Sequence, residues 1–224
     1  MKKLVVITIV SFTTLVFSQE KTKFGVHTGV NYSNFRGYEV PEGFDDVYSE
    51  SPAFGFLIGI GVEYQLSNKL SLKVELNYER KNQQADNVIN LTSFDGPTET
   101  YKFTSKKTHN YLVLPILLKY KFAENNGFYI NGGTFVGYLQ NSKLSNDANI
   151  PDMPNSDIDT TNSHKKIDFG FLAGVGKEFD INKGTVTIEI RNSLGLIDTA
   201  KHEMWNGGSL KTNSLALMVG YNFN

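Results

Sequence analysis

No cysteine occurs anywhere in the 224-residue chain, which removes disulfides, Cys-ligated zinc and thiol nucleophiles together. It also excludes lipid attachment at a mature amino-terminal Cys. Neither sign of charge is in excess, with 22 Lys and Arg against 23 Asp and Glu. Phosphate binding needs a concentrated basic face, so nucleic acid is not expected as a partner. Past the amino terminus no segment approaches the ~18 consecutive apolar residues of a helical span, so any membrane crossing must use strands. Proline is scarce at 6 and tryptophan at 1, whereas 16 Phe and 11 Tyr are present. That balance suits strands whose ends lie at an interface.

The chain opens with Met1-Lys2-Lys3, continues through an apolar run from Leu4 to Phe17, and reaches Ser18 just before Gln19. This is the layout of a secretory signal peptide, and the run is shorter than the ~20 residues of a spanning helix. Residues 1–18 are expected to be removed, leaving residues 19–224 as one domain, of ordinary size for a single core.

Eight stretches alternate with period two, the mark of a strand with two different faces. The clearest sets Phe54, Phe56, Ile58, Ile60, Val62, Tyr64 and Leu66 opposite Gly55, Gly59, Gly61, Glu63 and Gln65. The others cover about 24–33, 70–79, 111–122, 128–140, 167–179, 185–197 and 212 to the end. Short links rich in Asn, Asp and Gly fall at 67–69, 123–127 and 180–184. Long polar links fall at about 36–52, 82–107, 141–166 and 198–211. Short turns at one end and long loops at the other predict an all-β fold, an eight-stranded antiparallel up-and-down transmembrane barrel in the bacterial outer membrane, reached through the periplasm.

A soluble periplasmic carrier of lipocalin type, holding an apolar ligand, has the same alternation with the faces reversed. Glycine placement separates the two. Gly25, Gly29, Gly59, Gly133, Gly170, Gly174, Gly176 and Gly220, among others, lie on the polar face. Gly weakens a strand, and the cost has a cause only in a narrow lumen that must accommodate long side chains. The polar face is therefore predicted to point inward. Its charges are Glu63, Glu75, Glu79, Asp168, Glu178 and Glu189 against Lys73, Lys81, Lys119, Lys121 and Arg191. Unpaired buried charge costs several kcal/mol, so Glu63, Lys73, Glu75, Lys119, Glu189 and Arg191 are the candidate lumen ion-pair residues. A hairpin centred on Ser67-Asn68-Lys69 puts Glu63 directly opposite Lys73. A structural ion-pair core is favoured over a proton or ion path, because eight strands enclose room for side chains only.

Several segments go beyond pattern: Tyr111-Leu112-Val113-Leu114-Pro115-Ile116-Leu117-Leu118-Lys119-Tyr120, Gly132-Gly133 with Phe135-Val136-Gly137-Tyr138-Leu139, and Asp168-Phe169-Gly170 leading to Gly174-Val175-Gly176. With Arg191-Asn192-Ser193-Leu194-Gly195-Leu196 and Val219-Gly220-Tyr221-Asn222-Phe223, they resemble the PorT-like outer-membrane β-barrel family of the Bacteroidetes. The resemblance implies an integral barrel with no established chemistry for most members, the founding member being linked to gliding and type IX secretion.

Candidate chemistry concentrates near the long-loop end. His109, His164, His202 and Asp198 would serve a lipid A-modifying enzyme, with a His as general base and a carboxylate orienting it, but no motif fixes their spacing. Asp147, Asp152, Asp157 and Asp159 are oxygen ligands of the type calcium takes, without the regular spacing of an EF-hand. Met204 and Trp205 form an apolar pair in the last long loop, suited to a headgroup anchor or a contact site. The expected role is structural or interactive, not enzymatic. No metal or cofactor is expected. The expected partners are outer-membrane lipid and a protein bound through the extracellular loops or periplasmic turns, in an accessory role to secretion or surface assembly.

Overall fold

A computed structural model describes residues 21–43, 47–92, 98–122, 127–148, 155–204 and 207–223. The expected signal peptide, Asp152, Trp205 and most of the 123–127 turn lie outside the described residues. Nine strands form one antiparallel sheet: β1 (Thr22–Arg36), β2 (Tyr48–Gln65), β3 (Leu70–Thr92), β4 (Thr98–Lys121), β5 (Phe128–Ala148), β6 (Ser156–Asp159), β7 (Ile167–Ile181), β8 (Gly184–Gly195) and β9 (Lys211–Phe223). Each long strand pairs with its neighbours in the chain, β1 pairs with β9, and β4 pairs with β5. The ring thus closes on eight strands, with β6 added to the far end of β5. It is an up-and-down β-barrel, and closure leaves no sheet edge at membrane depth.

The two faces separate as the alternation predicts. Val74 is 36% exposed while its neighbour Glu75 is 1% exposed. The outward set includes Val26, Val30, Ile58, Ile60, Leu76, Leu114, Ile116, Phe171, Ile190, Leu217 and Val219, all exposed. The inward set holds the charges, all buried at Glu63, Lys73, Glu75, Glu79, Lys81, Lys119, Asp168, Glu189 and Arg191. Lipid offers no penalty for the first set and no solvation for the second.

Lumen glycines make room for specific neighbours. A Cβ at Gly176 would lie 2.4 Å from the Tyr129 ring, and one at Gly59 would lie 2.0 Å from Asn77 Oδ1. Pro115 sits inside β4, where it can donate no ladder hydrogen bond. The β3–β4 register steps from Val74↔Ile116 to Asn77↔Val113, leaving the ladder interrupted at Pro115, while its other side pairs with Phe135 of β5.

The expected long links need correction at three places, the first being residues 48–52, which belong to β2 and pair with β3 from Tyr48↔Asn87 to Pro52↔Gln83. Residues 82–92 and 98–107 are not loop: β3 and β4 continue through them, paired as far as Thr92↔Thr98. Residues 141–148 likewise prolong β5, and β6 pairs with it from Lys143↔Asp159 to Asn146↔Ser156. β3, β4 and β5 run 23, 24 and 21 residues. Since ~9–11 residues cross a bilayer, each projects about ten residues beyond it. These projections lie at the long-loop end, which faces outside the cell.

Candidate functional site

Three tiers of side chains fill the barrel from the periplasmic end to the outer mouth. In the lowest, Lys119 reaches Glu63 at 2.8 Å and also pairs with Glu178, whose second oxygen is 2.6 Å from Lys121. Lys119 also lies over the Tyr129 ring, 4.6 Å from its centroid. In the middle tier Arg191 grips Glu75 with two hydrogen bonds, of 2.6 and 3.0 Å, and its Nε donates to Glu189 at 2.5 Å. Lys73 adds a contact to Glu75 at 2.7 Å, and Tyr129 donates to Glu189 at 2.8 Å. His27 lies alongside, with Nε2 2.8 Å from Asn77 Oδ1. In the upper tier Thr212 donates to Asp168 at 2.7 Å, and Lys81 stands 3.8 Å from Glu79 and 3.9 Å from Asp168, over the rings of Tyr111 and Phe135.

All six candidate lumen residues therefore lie in two touching networks. Glu63 and Lys73 are directly opposite in the β2–β3 register. They are nevertheless not an ion pair: Glu63 takes Lys119 and Lys73 takes Glu75. Side chains in a narrow lumen converge on the axis, so a residue two strands away competes with the one directly across the ladder.

Above the apolar band the mouth is capped. Phe35, Ala200 and Leu210 form a buried cluster against which Tyr38 and Met204 pack. The β8–β9 connection is held inward by Asp198 Oδ1, which accepts from the N–H groups of Ala200 and Leu210 at 3.1 and 2.8 Å. Asp198 Oδ2 accepts from Lys165 at 3.1 Å. This carboxylate is committed to loop backbone and lysine, with no histidine among its hydrogen-bond partners here. The His–carboxylate pair that the enzyme reading requires is thus not built from it.

The structure brings two of the candidate histidines together instead. The His109 and His164 rings meet edge to face with centroids 4.5 Å apart, and the Phe35 ring also meets His109 edge to face, with centroids 4.4 Å apart. Burial, with His164, Lys107 and Lys81 nearby, holds the His109 imidazole well below its usual range. Burial also lowers His164, against the hydrogen bond its Nδ1 donates to the Thr160 carbonyl at 2.8 Å. His202 lines the same small cavity.

A second rim network was not anticipated from sequence. Glu50 accepts from Tyr38 and Tyr48, each at 2.5 Å, and from Lys107 at 2.9 Å. Burial opposes ionisation of Glu50, but Lys107 and the two hydroxyls hold its carboxyl below the usual range. Both phenols are pushed up, by burial first and by Glu50 second. These residues join the β1–β2 connection, β2 and β4, and they fall in stretches that read as loop, so no periodicity flagged them.

In the acidic third loop, Asp157 is taken by Lys143 and Ser145, and Asp159 by the Thr161 N–H. Among the described residues no three His, Asp, Glu or Cys side chains converge as a metal site.

A closed eight-stranded ring, apolar outside and ion-paired within, agrees with the comparison to known families, in which residues 17–201 match the outer membrane protein beta-barrel domain. The chain belongs to this family. It is a bacterial outer-membrane barrel. No curated protein matches it significantly. Similar solved structures include OprG from Pseudomonas aeruginosa, at 13% identity and a TM-score of 0.43, covering 90% of this chain and 96% of that one. Neisserial surface protein A is 13% identical with a TM-score of 0.41, over 89% and 97% of the two chains. Ail of Yersinia pestis, in complex with sucrose octasulfate, is 11% identical with a TM-score of 0.39, over 91% and 99%.

Proposed function

We propose that this outer-membrane barrel anchors an extracellular β-platform, through which it engages a protein partner in an accessory role to secretion or surface assembly. Export by removal of residues 1–18 belongs to the same reading. The observation that supports it is the contrast between the two halves of the molecule. Among the described residues the lumen is filled by ion pairs, with the buried Phe35–Ala200–Leu210 cluster above them. The outer half meanwhile extends β2, β3, β4 and β5 as paired strands into water, far beyond the length that insertion requires. Regular pairing holds that surface in one conformation, and preorganisation lowers the entropy lost on binding.

The test is a variant in which residues 84–106 are replaced by a two-residue Asn-Gly turn, compared with wild type in the native host. Crosslinking of intact cells is expected to yield a discrete complex with wild type. The trimmed protein should still insert and still change electrophoretic mobility on boiling, yet lose that complex. An unchanged crosslinked species, or no discrete species with wild type, refutes the reading.

A further inference from the structure

The upper tier of the lumen is built differently from the two below it. Lys73, Lys119 and Lys121 each reach a carboxylate oxygen, at 2.7, 2.8 and 2.6 Å. Lys81 does not: it stands 3.8 Å from Glu79 and 3.9 Å from Asp168 Oδ2, and its hydrogen bond runs to the Thr212 hydroxyl at 3.4 Å. Its ammonium lies over the rings of Tyr111 and Phe135, 5.4 and 5.1 Å from their centroids. Lys81 is 1% exposed and Asp168 0%. Opposite charges buried this deeply, without a close ion pair, are poorly compensated for the water they have lost.

Asp168 is also held unevenly. Its Oδ2 accepts from Thr212 at 2.7 Å. Its Oδ1 has no hydrogen-bond partner among the described residues and lies against Gly195, where a Cβ would come within 3.0 Å of it. One lysine thus faces two carboxylates in a dry, aromatic-lined space, and one oxygen of the nearer strand-β7 carboxylate is bound to nothing.

We propose that Lys81 and Asp168 condense to an intramolecular amide, a covalent cross-link between β3 and β7 at the outer end of the lumen, with Glu79 as the proton carrier. Lys81 passes one proton to Asp168 Oδ1, leaving an amine and a carboxylic acid, the forms favoured where charge is poorly solvated. The Nζ lone pair adds to Cγ, and the carbonyl electrons move onto Oδ2, where the Thr212 hydroxyl meets the developing charge. Glu79 takes a proton from Nζ and gives it to Oδ1. The Cγ–Oδ1 bond then breaks and water leaves. One ammonium and one carboxylate become one amide and one water, nothing is oxidised or reduced, and Glu79 ends as it began. The flexible four-carbon stem of Lys81 gives Nζ the reach to close on Cγ. Holding the two groups together replaces the high concentration that condensation otherwise needs, and exclusion of water disfavours the return reaction.

The test follows the bond as the protein folds. The full chain is kept unfolded in urea, transferred into lipid vesicles, and at intervals denatured and digested with trypsin; folding is read separately from the change in electrophoretic mobility on boiling. Trypsin cuts after Arg80 and, where Lys81 is free, after Lys81 too, and it releases the peptide 167–177. A cross-linked chain gives instead one branched product, in which peptide 81–102 carries peptide 167–177 and weighs one water less than the two together. That product should be absent in urea and accumulate after folding. Glu79→Gln should fold yet form it about a hundredfold more slowly, as loss of a positioned proton carrier predicts. Lys81→Met and Asp168→Ala should fold and never form it. Folded wild type that yields only the separate peptides overturns the proposal, as does water loss confined to any other peptide. Formation at an undiminished rate in folded Glu79→Gln would overturn the part given to Glu79.

Discussion

Arg191 and Glu75 stand on strands four places apart in either direction around the eight-strand ring, and they meet across its axis through two hydrogen bonds of 2.6 and 3.0 Å. The pair is therefore a strut across the full width of the barrel, tying together residues 116 positions apart in the chain. Removing one partner of a buried pair leaves a charge uncompensated, which typically costs 3–5 kcal/mol, roughly. Lys73 still contacts Glu75 at 2.7 Å, but Glu189 also loses its Arg191 partner, so Arg191→Met is expected to cost about 3–5 kcal/mol. The double variant Arg191→Met, Glu75→Leu should cost less than the sum of the two single changes, because the loss of their mutual hydrogen bonds is then incurred once and not twice. Urea unfolding in lipid vesicles measures all three. Strict additivity would show that the strut is not coupled.

The same packing sets the electrical behaviour. An interior of eight strands filled with side chains has no aqueous channel. Purified protein in planar bilayers is expected to give no large steady conductance, and a stable high-conductance open state would contradict the filled lumen.

Gly176 faces the Tyr129 ring so closely that an added Cβ would lie 2.4 Å from its Cζ and hydroxyl and 2.7 Å from the Ile188 carbonyl oxygen. Gly176→Ala should therefore destabilise by about 1–3 kcal/mol. Tyr129→Leu removes the ring and the hydrogen bond to Glu189. In that background the glycine change should cost measurably less, since the two sites share one space. An equal cost in both backgrounds would place the strain elsewhere.

Acid should loosen the rim before it loosens the barrel. His109 and His164 are both held below the usual imidazole range in the folded protein. The unfolded cap therefore binds protons more readily than the folded one. Stability from these groups is present in full above the ordinary value of about 6.5 and is lost as pH falls below it. Amide hydrogen exchange, corrected for its intrinsic pH dependence, should show declining protection at Thr199 and Lys165 between about pH 7 and 5. Membrane-depth amides of β8 and β9 should stay protected. His109→Phe should flatten most of the response, and an unchanged slope would remove His109 from the account.

Alternation made the membrane part of the fold legible, because lipid outside and charge inside impose opposite chemistry on successive residues, as at Val74 and Glu75. Above the bilayer that contrast disappears. Asn82, Gln83 and Ala85 are buried but carry polar or small side chains, and the strands beyond them are largely in water, so Asn82 to Thr92 and Thr98 to Lys107 look like loop although they are paired strand. The identity of the lumen charges was legible for the same reason as the strands. Their partners were not, because Lys119 reaches Glu63 past the intervening strand while Lys73 turns to Glu75 on its own. The rim histidines are further apart in sequence than any local motif spans, and they meet because the β5–β7 connection folds back on β5 beside its partner β4.

The depth of β9 can be read with one fluorophore. Trp205 is the chain's single tryptophan, so Trp205→Phe gives a dark background in which one introduced Trp is unique. Val219 and Phe223 both face outward, 50% and 49% exposed, so Val219→Trp and Phe223→Trp each put an indole in lipid without disturbing the ion-paired interior. Four residues of strand cover ~13 Å, or ~9 Å along the membrane normal at a tilt of ~45°. Because β9 ends at the short-turn side, the Phe223 site should lie that much nearer the periplasmic surface than Val219. Lipids brominated near the chain terminus should quench Trp at 219 more strongly, and lipids brominated near the headgroup should quench Trp at 223 more strongly. Equal quenching at both positions by both lipids would mean that β9 does not cross the bilayer at this tilt. No quenching at either would mean that the apolar face is turned away from lipid, and the inside–outside assignment of the whole ring would have to be reversed.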